Sequence, residues 1–253
     1  MVRGVGPEYP GAPVTVAEAL ADGAALRPPR WGLWDAVIAI VASMALALGV
    51  AAVGIFTNAP LALTVLLGIT VPWIGLLGWP VIATRWRGNG PRIDLGLAFT
   101  WSDVRWGVGV GAVGLTLAAV MAWITLSVVG DFTSAAGEIA AQLSGESEFG
   151  LWVFALAVMV GAPIVEETAF RGLLFAALRK RGIGAWATIV ISGVAFALFH
   201  FEPIRFLILL PVGVLYGWLR MRTGSLGAPI VAHMVNNGPA AVALLIGIPE
   251  VTP

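Results

Sequence analysis

Two glutamates stand side by side in an otherwise apolar run, with Pro163 three residues before Glu166 and Arg171 four residues after Glu167. Measured along a helix at about 1.5 Å per residue, Glu166 falls about 20 Å from Arg179 and about 22 Å from Leu151, near the middle of the run. An ionised carboxylate at such a depth is costly unless it is paired or wetted, so two adjacent ones call for a polar cavity. Glu167 and Arg171 share a helix face at i,i+4 and can form an ion pair. Glu166 points about 100° away and has no local cation. This asymmetry makes Glu167 the charge-satisfied support and leaves Glu166 free to act as a base. Pro163 lacks an N–H and can kink the helix just before the pair, exposing a backbone carbonyl.

The chain has two histidines, and both lie in apolar runs. His200 ends the run that contains Phe196, and His233 lies four residues before Asn237, so His233 and Asn237 share one helix face. A carboxylate, two imidazoles and a carboxamide from three helices supply a general base, proton carriers and neutral donors for a developing oxyanion. Those are the parts needed to add water to an amide carbonyl. Other readings of the same residues stay open. Glu166 and the two histidines could ligate zinc, although no H-E-x-x-H is present and Asn237 suits an oxyanion role better than a metal site. The polar groups could also serve only to hold helices together. Ser192 offers a hydroxyl, but no G-x-S-x-G surrounds it.

The elements that must position these groups are membrane helices. Of 253 residues, 59% are hydrophobic and 11% charged, and the mean hydropathy is +0.94. A soluble fold would have no surface for so much apolar area, whereas lipid accepts it on the outside. The runs are continuous and do not alternate, which favours helices over a barrel. An all-α polytopic bundle is expected, with spans over Trp34–Phe56, Leu61–Ala83, Val104–Val129, Leu151–Leu178, Gly184–His200, Ile204–Leu219 and Leu226–Ile248. Seven spans is the count, or eight if the N-terminal runs divide differently. The fifth and sixth are short and separated only by Phe201, Glu202 and Pro203, consistent with a tight hairpin or a partly re-entrant piece. Residues 1–30, rich in Pro, Gly and Ala, are expected as a loosely ordered tail. They do not form a signal peptide. Residues 31–253 then make one transmembrane domain with the catalytic core at 151–248.

Charge placement agrees with seven spans. Arg27, Arg30, Arg85, Arg87, Arg92, Arg105, Arg179, Lys180, Arg181, Arg220 and Arg222 all fall on one side of that arrangement, while Asp131, Glu138, Glu146, Glu148 and Arg205 fall on the other. The positive-inside rule then puts the N-terminus in the cytoplasm. Trp31, Trp34, Trp101, Trp106, Trp152 and Trp218 lie near the ends of runs, where tryptophan anchors at the interface. The pairs Gly107/Gly111 and Gly213/Gly217 have the G-x-x-x-G spacing that lets helix backbones approach. Cysteine is absent, which removes disulfides, thiolate nucleophiles and cysteine metal sites. A net charge of zero without a basic stripe speaks against nucleic acid. No internal repeat of the transporter kind is evident.

The motifs Glu166-Glu167-x-x-x-Arg171, Phe196-x-x-x-His200 and His233-x-x-x-Asn237 resemble, in their order, those of the CAAX-processing and bacteriocin-processing family of intramembrane endopeptidases, also called the CPBP or Abi family. The resemblance covers about Leu151 to Ile248. The N-terminal half is similar to the family only in spanning the membrane. It implies that Glu166 activates water with His200, that His233 and Asn237 stabilise the oxyanion, and that Glu167 and Arg171 support the first motif, without a metal or other cofactor. The family's substrates include prenylated proteins and bacteriocin or signalling peptides.

The expected activity is hydrolysis of a peptide bond in a membrane-associated protein or peptide, by an integral protein of a bacterial or archaeal cytoplasmic membrane whose partners are that substrate and the lipid bilayer. Alternative expectations are a proton-coupled transporter in which Glu166, His200 and His233 form a relay, and a non-enzymatic membrane scaffold.

Overall fold

A computed structural model describes residues 13–246, and all regular structure among them is helical. Six helices are long and apolar enough to cross a membrane: Leu33–Thr57, Leu61–Arg87, Trp101–Val129, Glu148–Lys180, Phe206–Thr223 and Gly227–Leu245. The shorter apolar helix Ala185–Phe199 lies between the fourth and fifth of these. Taken in chain order they are spans one to seven, and the expected polytopic helical bundle is what the chain forms. The expected end of span seven at Ile248 lies outside the described residues. Leu48, Ile55, Phe56 and Val128 are exposed on the outer surface, an arrangement that lipid accepts and water does not.

Span five is the exception in length. Its 15 residues rise only about 22 Å, less than the roughly 30 Å of a hydrocarbon core. The helix is therefore too short for a full crossing by itself, and His200 is its C-cap. Phe201 follows in the left-handed region at φ 54°, which ends the helix sharply, and span six resumes at Phe206. In this irregular connection Arg205 Nη1 donates to Glu202 Oε2 at 2.6 Å. Glu202 Oε1 also accepts from the Ala135 N–H at 2.7 Å, holding the start of the helix Ala135–Glu146.

Small residues set the packing of the C-terminal spans. A Cβ at Gly107 would fall 2.8 Å from the Ala228 carbonyl oxygen, and one at Gly111 would fall 2.8 Å from that of Ala232. Span three therefore lies directly on the backbone of span seven, as the spacing of this glycine pair suggests. Gly213 and Gly217 do the same for spans six and five, meeting the Gly193 carbonyl at 3.1 Å and the Ile189 carbonyl at 3.2 Å.

The basic end of the bundle is more ordered than its composition suggests. Residues 1–12 lie outside the described residues, but from Pro13 onward the stretch expected as a loosely ordered tail carries a helix, Val14–Ala21, with Thr15 and Val16 buried. The Val14 N–H bonds the Gly224 carbonyl at 3.1 Å, Thr15 Oγ1 donates to the Ile93 carbonyl at 3.0 Å, and the Arg30 N–H bonds the Arg87 carbonyl at 2.6 Å. Trp31 departs from its expected interfacial position. It is 1% exposed, because its indole N–H is committed to Asp94 Oδ2 at 2.7 Å. Trp34, Trp101 and Trp152 are exposed. Arg87 pairs with Asp35.

Candidate active site

Span four carries Glu166 and Glu167 on a short α-helical piece, Ala162–Glu167, between two π-helical segments, Ala157–Gly161 and Thr168–Leu174. Pro163 accounts for the first departure, since in α geometry its ring would press on the carbonyl of Met159. The Ala162 N–H instead bonds Ala157, five residues back. Each π segment inserts extra turn into the helix and re-aims the side chains beyond it, a device often found at functional sites. Gly161 adds room on this face, because a Cβ there would collide with the Trp73 ring.

Glu167 is fully buried and accepts two hydrogen bonds at one oxygen. Arg171 Nη1 donates to its Oε1 at 2.9 Å, and His233 Nδ1 lies 3.0 Å from the same atom. The first contact is the expected i,i+4 pair. The second reaches from span seven, and no local spacing rule predicts it. Arg171 is likewise fully buried. It gives Nη2 to the Gly213 carbonyl at 2.8 Å, with its guanidinium 4.5 Å from the centre of the Phe196 ring. These contacts offset part of the cost of burying the pair, while Glu167 Oε2 and Arg171 Nε have no hydrogen-bond partner among the described residues.

The two imidazoles are held alike. A carboxylate acceptor takes the Nδ1–H of His233, and the Phe196 carbonyl, 2.9 Å from His200 Nδ1, takes that of His200. In each ring Nε2 is left with its lone pair. His233 Nε2 faces Glu166 Oε2 at 3.9 Å, two acceptors that a bridging water or a shared proton would join. Phe196 is the centre of this cluster, with its ring 4.8 Å from that of His200 and 5.6 Å from that of His233. Tyr216 closes the far side, 5.5 Å from the His233 ring.

Glu166 is the carboxylate that meets open space, with 16% of its side chain exposed. It lines a cavity of about 580 Å³ bounded by Ser43 and Met44 of span one, Ile69 and Trp73 of span two, Val158 and Ala162 of span four, and the residues on either side of His200, Phe199 and Phe201. The wall is almost wholly apolar apart from Glu166 and Ser43. His200 itself lies between two residues that line this chamber, at the end of the short span five.

Asn237 and Ser192 differ from their sequence readings. Asn237 shares a helix face with His233, yet its Nδ2 is bonded to the Val158 carbonyl at 3.0 Å, which leaves one amide N–H uncommitted. Ser192 is fully buried and donates to Ile189 within its own helix at 3.0 Å. Phe196, Gly213 and Tyr216 are the site residues whose roles sequence reasoning missed. The one signal for Tyr216 was rarity, since it is one of two tyrosines in the chain and stands mid-span.

A polar cluster of carboxylates and imidazoles inside an apolar helical bundle, with one carboxylate facing a chamber, is the class of an integral membrane protein with an internal polar site. Residues 148–238 match the family model Rce1-like, described as type II CAAX prenyl endopeptidase Rce1-like, and in this stretch the chain is similar to CAAX-type membrane endopeptidases. All three motifs, from Glu166 to Asn237, lie within it. Neither the curated proteins nor the solved structures contain a significant match to the chain.

Proposed function

We propose that the chain hydrolyses a peptide bond of a membrane-associated protein or peptide, with Glu166 taking a proton from the attacking water. The observation that carries the reading is the division of labour between neighbours: Glu167 is consumed by Arg171 and His233, while Glu166 faces the chamber. A base must be both unpaired and reachable, and of this pair Glu166 is the one that is.

In the proposed step the water oxygen bonds the scissile carbonyl carbon as its proton passes to Glu166. His233 Nε2, 3.9 Å from Glu166 Oε2, shares that proton with it, and His200 supplies the second imidazole of the cluster. The free amide N–H of Asn237, together with an imidazolium formed at His233 or His200, stabilises the oxyanion. When the C–N bond breaks, the proton moves on to the leaving amine. Glu167 orients His233 by holding Nδ1–H, as a buried carboxylate does in a catalytic triad, and Arg171 holds Glu167. The apolar wall of the chamber suits a substrate that arrives with a lipid-like segment, in line with the prenyl endopeptidase description of the matching family. Water activation is proposed without a metal or other cofactor. The clustering of Arg and Lys at one end of the spans orients the N-terminus to the cytoplasm.

The test compares membrane-protein and peptide termini in cells carrying the parent chain and Glu166→Gln. New termini that vanish in Glu166→Gln at unchanged protein abundance are expected, and cleavage by the purified parent should persist in 1,10-phenanthroline. Cleavage by Glu166→Gln at the parental rate overturns the assignment of the base. Flux across proteoliposomes that depends on Glu166 without any cleavage would instead favour a transporter.

A further inference from the structure

In each of the two π segments of span four a side chain from a later helix bonds a backbone carbonyl. On the first, the Ala162 N–H is given to Ala157. The Val158 carbonyl would then need the N–H of residue 163, which is proline and has none. Asn237 Nδ2 fills the vacancy at 3.0 Å. On the second, the Phe175 N–H reaches back to Phe170, and the next carbonyl, that of Arg171, accepts from Arg220 Nε at 3.1 Å. Arg220 is buried and also gives Nη2 to the Leu95 carbonyl at 3.1 Å. Both departures from α geometry are therefore closed from outside the helix, one on each side of the Glu166-Glu167 piece.

We propose that Asn237 is a positioning residue that closes the Val158 carbonyl, holds the π segment before Glu166 in place, and so sets the direction in which Glu166 points. A slip of one residue turns a helical side chain by about 100°, enough to carry Glu166 from the chamber wall into helix packing. Pro163 creates the need for the clamp and Asn237 meets it, although the two are 74 residues apart in the chain. The consequence for catalysis rests on Glu166 being the base, whereas the clamp itself does not, so the test reads no cleavage.

Pro163→Ala returns an N–H to the place where the Val158 carbonyl lacks one, and should make Asn237 dispensable to the fold. In purified protein in detergent, Asn237→Leu is expected to lower the unfolding midpoint by about 2–4 °C, the shift that one lost hydrogen bond produces in a chain of this size. In a Pro163→Ala background the same substitution should leave the midpoint unchanged. The chain has no cysteine, so Glu166→Cys introduces a single thiol. Its rate of modification by a water-soluble methanethiosulfonate should fall several-fold when Asn237→Leu is added. Asn237→Ser repeats both measurements with a milder change, should the leucine variant fail to fold. Equal midpoint shifts in the two backgrounds, or an unchanged thiol rate, overturns the proposal.

Discussion

His233 and Glu167 meet across spans seven and four with Nδ1 3.0 Å from Oε1, and this contact turns Nε2 of the same ring toward Glu166 at 3.9 Å. One carboxylate thus aims an imidazole at its own neighbour in sequence. The adjacent glutamates act on opposite nitrogens of one ring, which two side chains about 100° apart on a helix can do only if the ring lies between them.

Glu167→Gln should therefore cost turnover more than binding. It keeps the size of the side chain but removes the charge that orients His233 and pairs with Arg171. By analogy with loss of the orienting carboxylate in a triad, kcat is expected to fall about 10²- to 10⁴-fold with KM little changed. Steady-state kinetics on a lipid-anchored peptide reporter would check this, and a rise in KM at constant kcat would contradict the orienting role.

Arg171→Leu leaves Glu167 buried without its cation. Stability is expected to fall by about 3–5 kcal/mol, the usual cost of removing one partner of a buried pair. Adding Glu167→Leu should restore part of it, because the stranded charge is then gone. Thermal unfolding of the single and double variants in one detergent measures the difference.

Glycines in span three should divide by what they face. Gly107→Ala and Gly111→Ala place a methyl group 2.8 Å from the carbonyls of Ala228 and Ala232, and a loss of about 1–3 kcal/mol is expected. Gly109 has nothing within 4 Å of such a methyl, so Gly109→Ala should be neutral or slightly stabilising. Unfolding midpoints, or the yield of monodisperse protein, would rank the three.

Phe201 holds a left-handed conformation at φ 54° that costs a bulky residue about 1–2 kcal/mol. It also lines the Glu166 chamber, so the strain has a candidate return in substrate contact. Phe201→Gly should hold or raise the unfolding midpoint while raising KM for a lipid-anchored peptide. A variant with lower stability and unchanged KM would contradict that trade.

Much of the local design was legible because it depends on short spacings. The i,i+4 step from Glu167 to Arg171, the freed carbonyl near Pro163 and the glycine pairs at 107/111 and 213/217 all have counterparts in the structure. The depth of His200 could not be settled by the same means. It depends on how the short span five packs against spans one, two and four, and residue spacing does not carry that information. Asn237 was legible as a polar group beside His233, but not as the partner of Val158, since a carbonyl acceptor carries no residue-type signal.

Composition and periodicity by themselves determined that this chain lives in lipid as a helical bundle, because apolar area on this scale has nowhere else to go. They also determined which few polar side chains must be satisfied inside it. The i,i+4 spacing already marked Glu167 as the paired glutamate, and only the tertiary structure decided how fully it is engaged. Ion-pair geometry along one helix offers Glu167 a single partner, whereas packing of spans six and seven adds the Gly213 carbonyl for Arg171 and the His233 ring for Glu167. Contacts of that kind arise from helix crossings rather than from spacing along the chain.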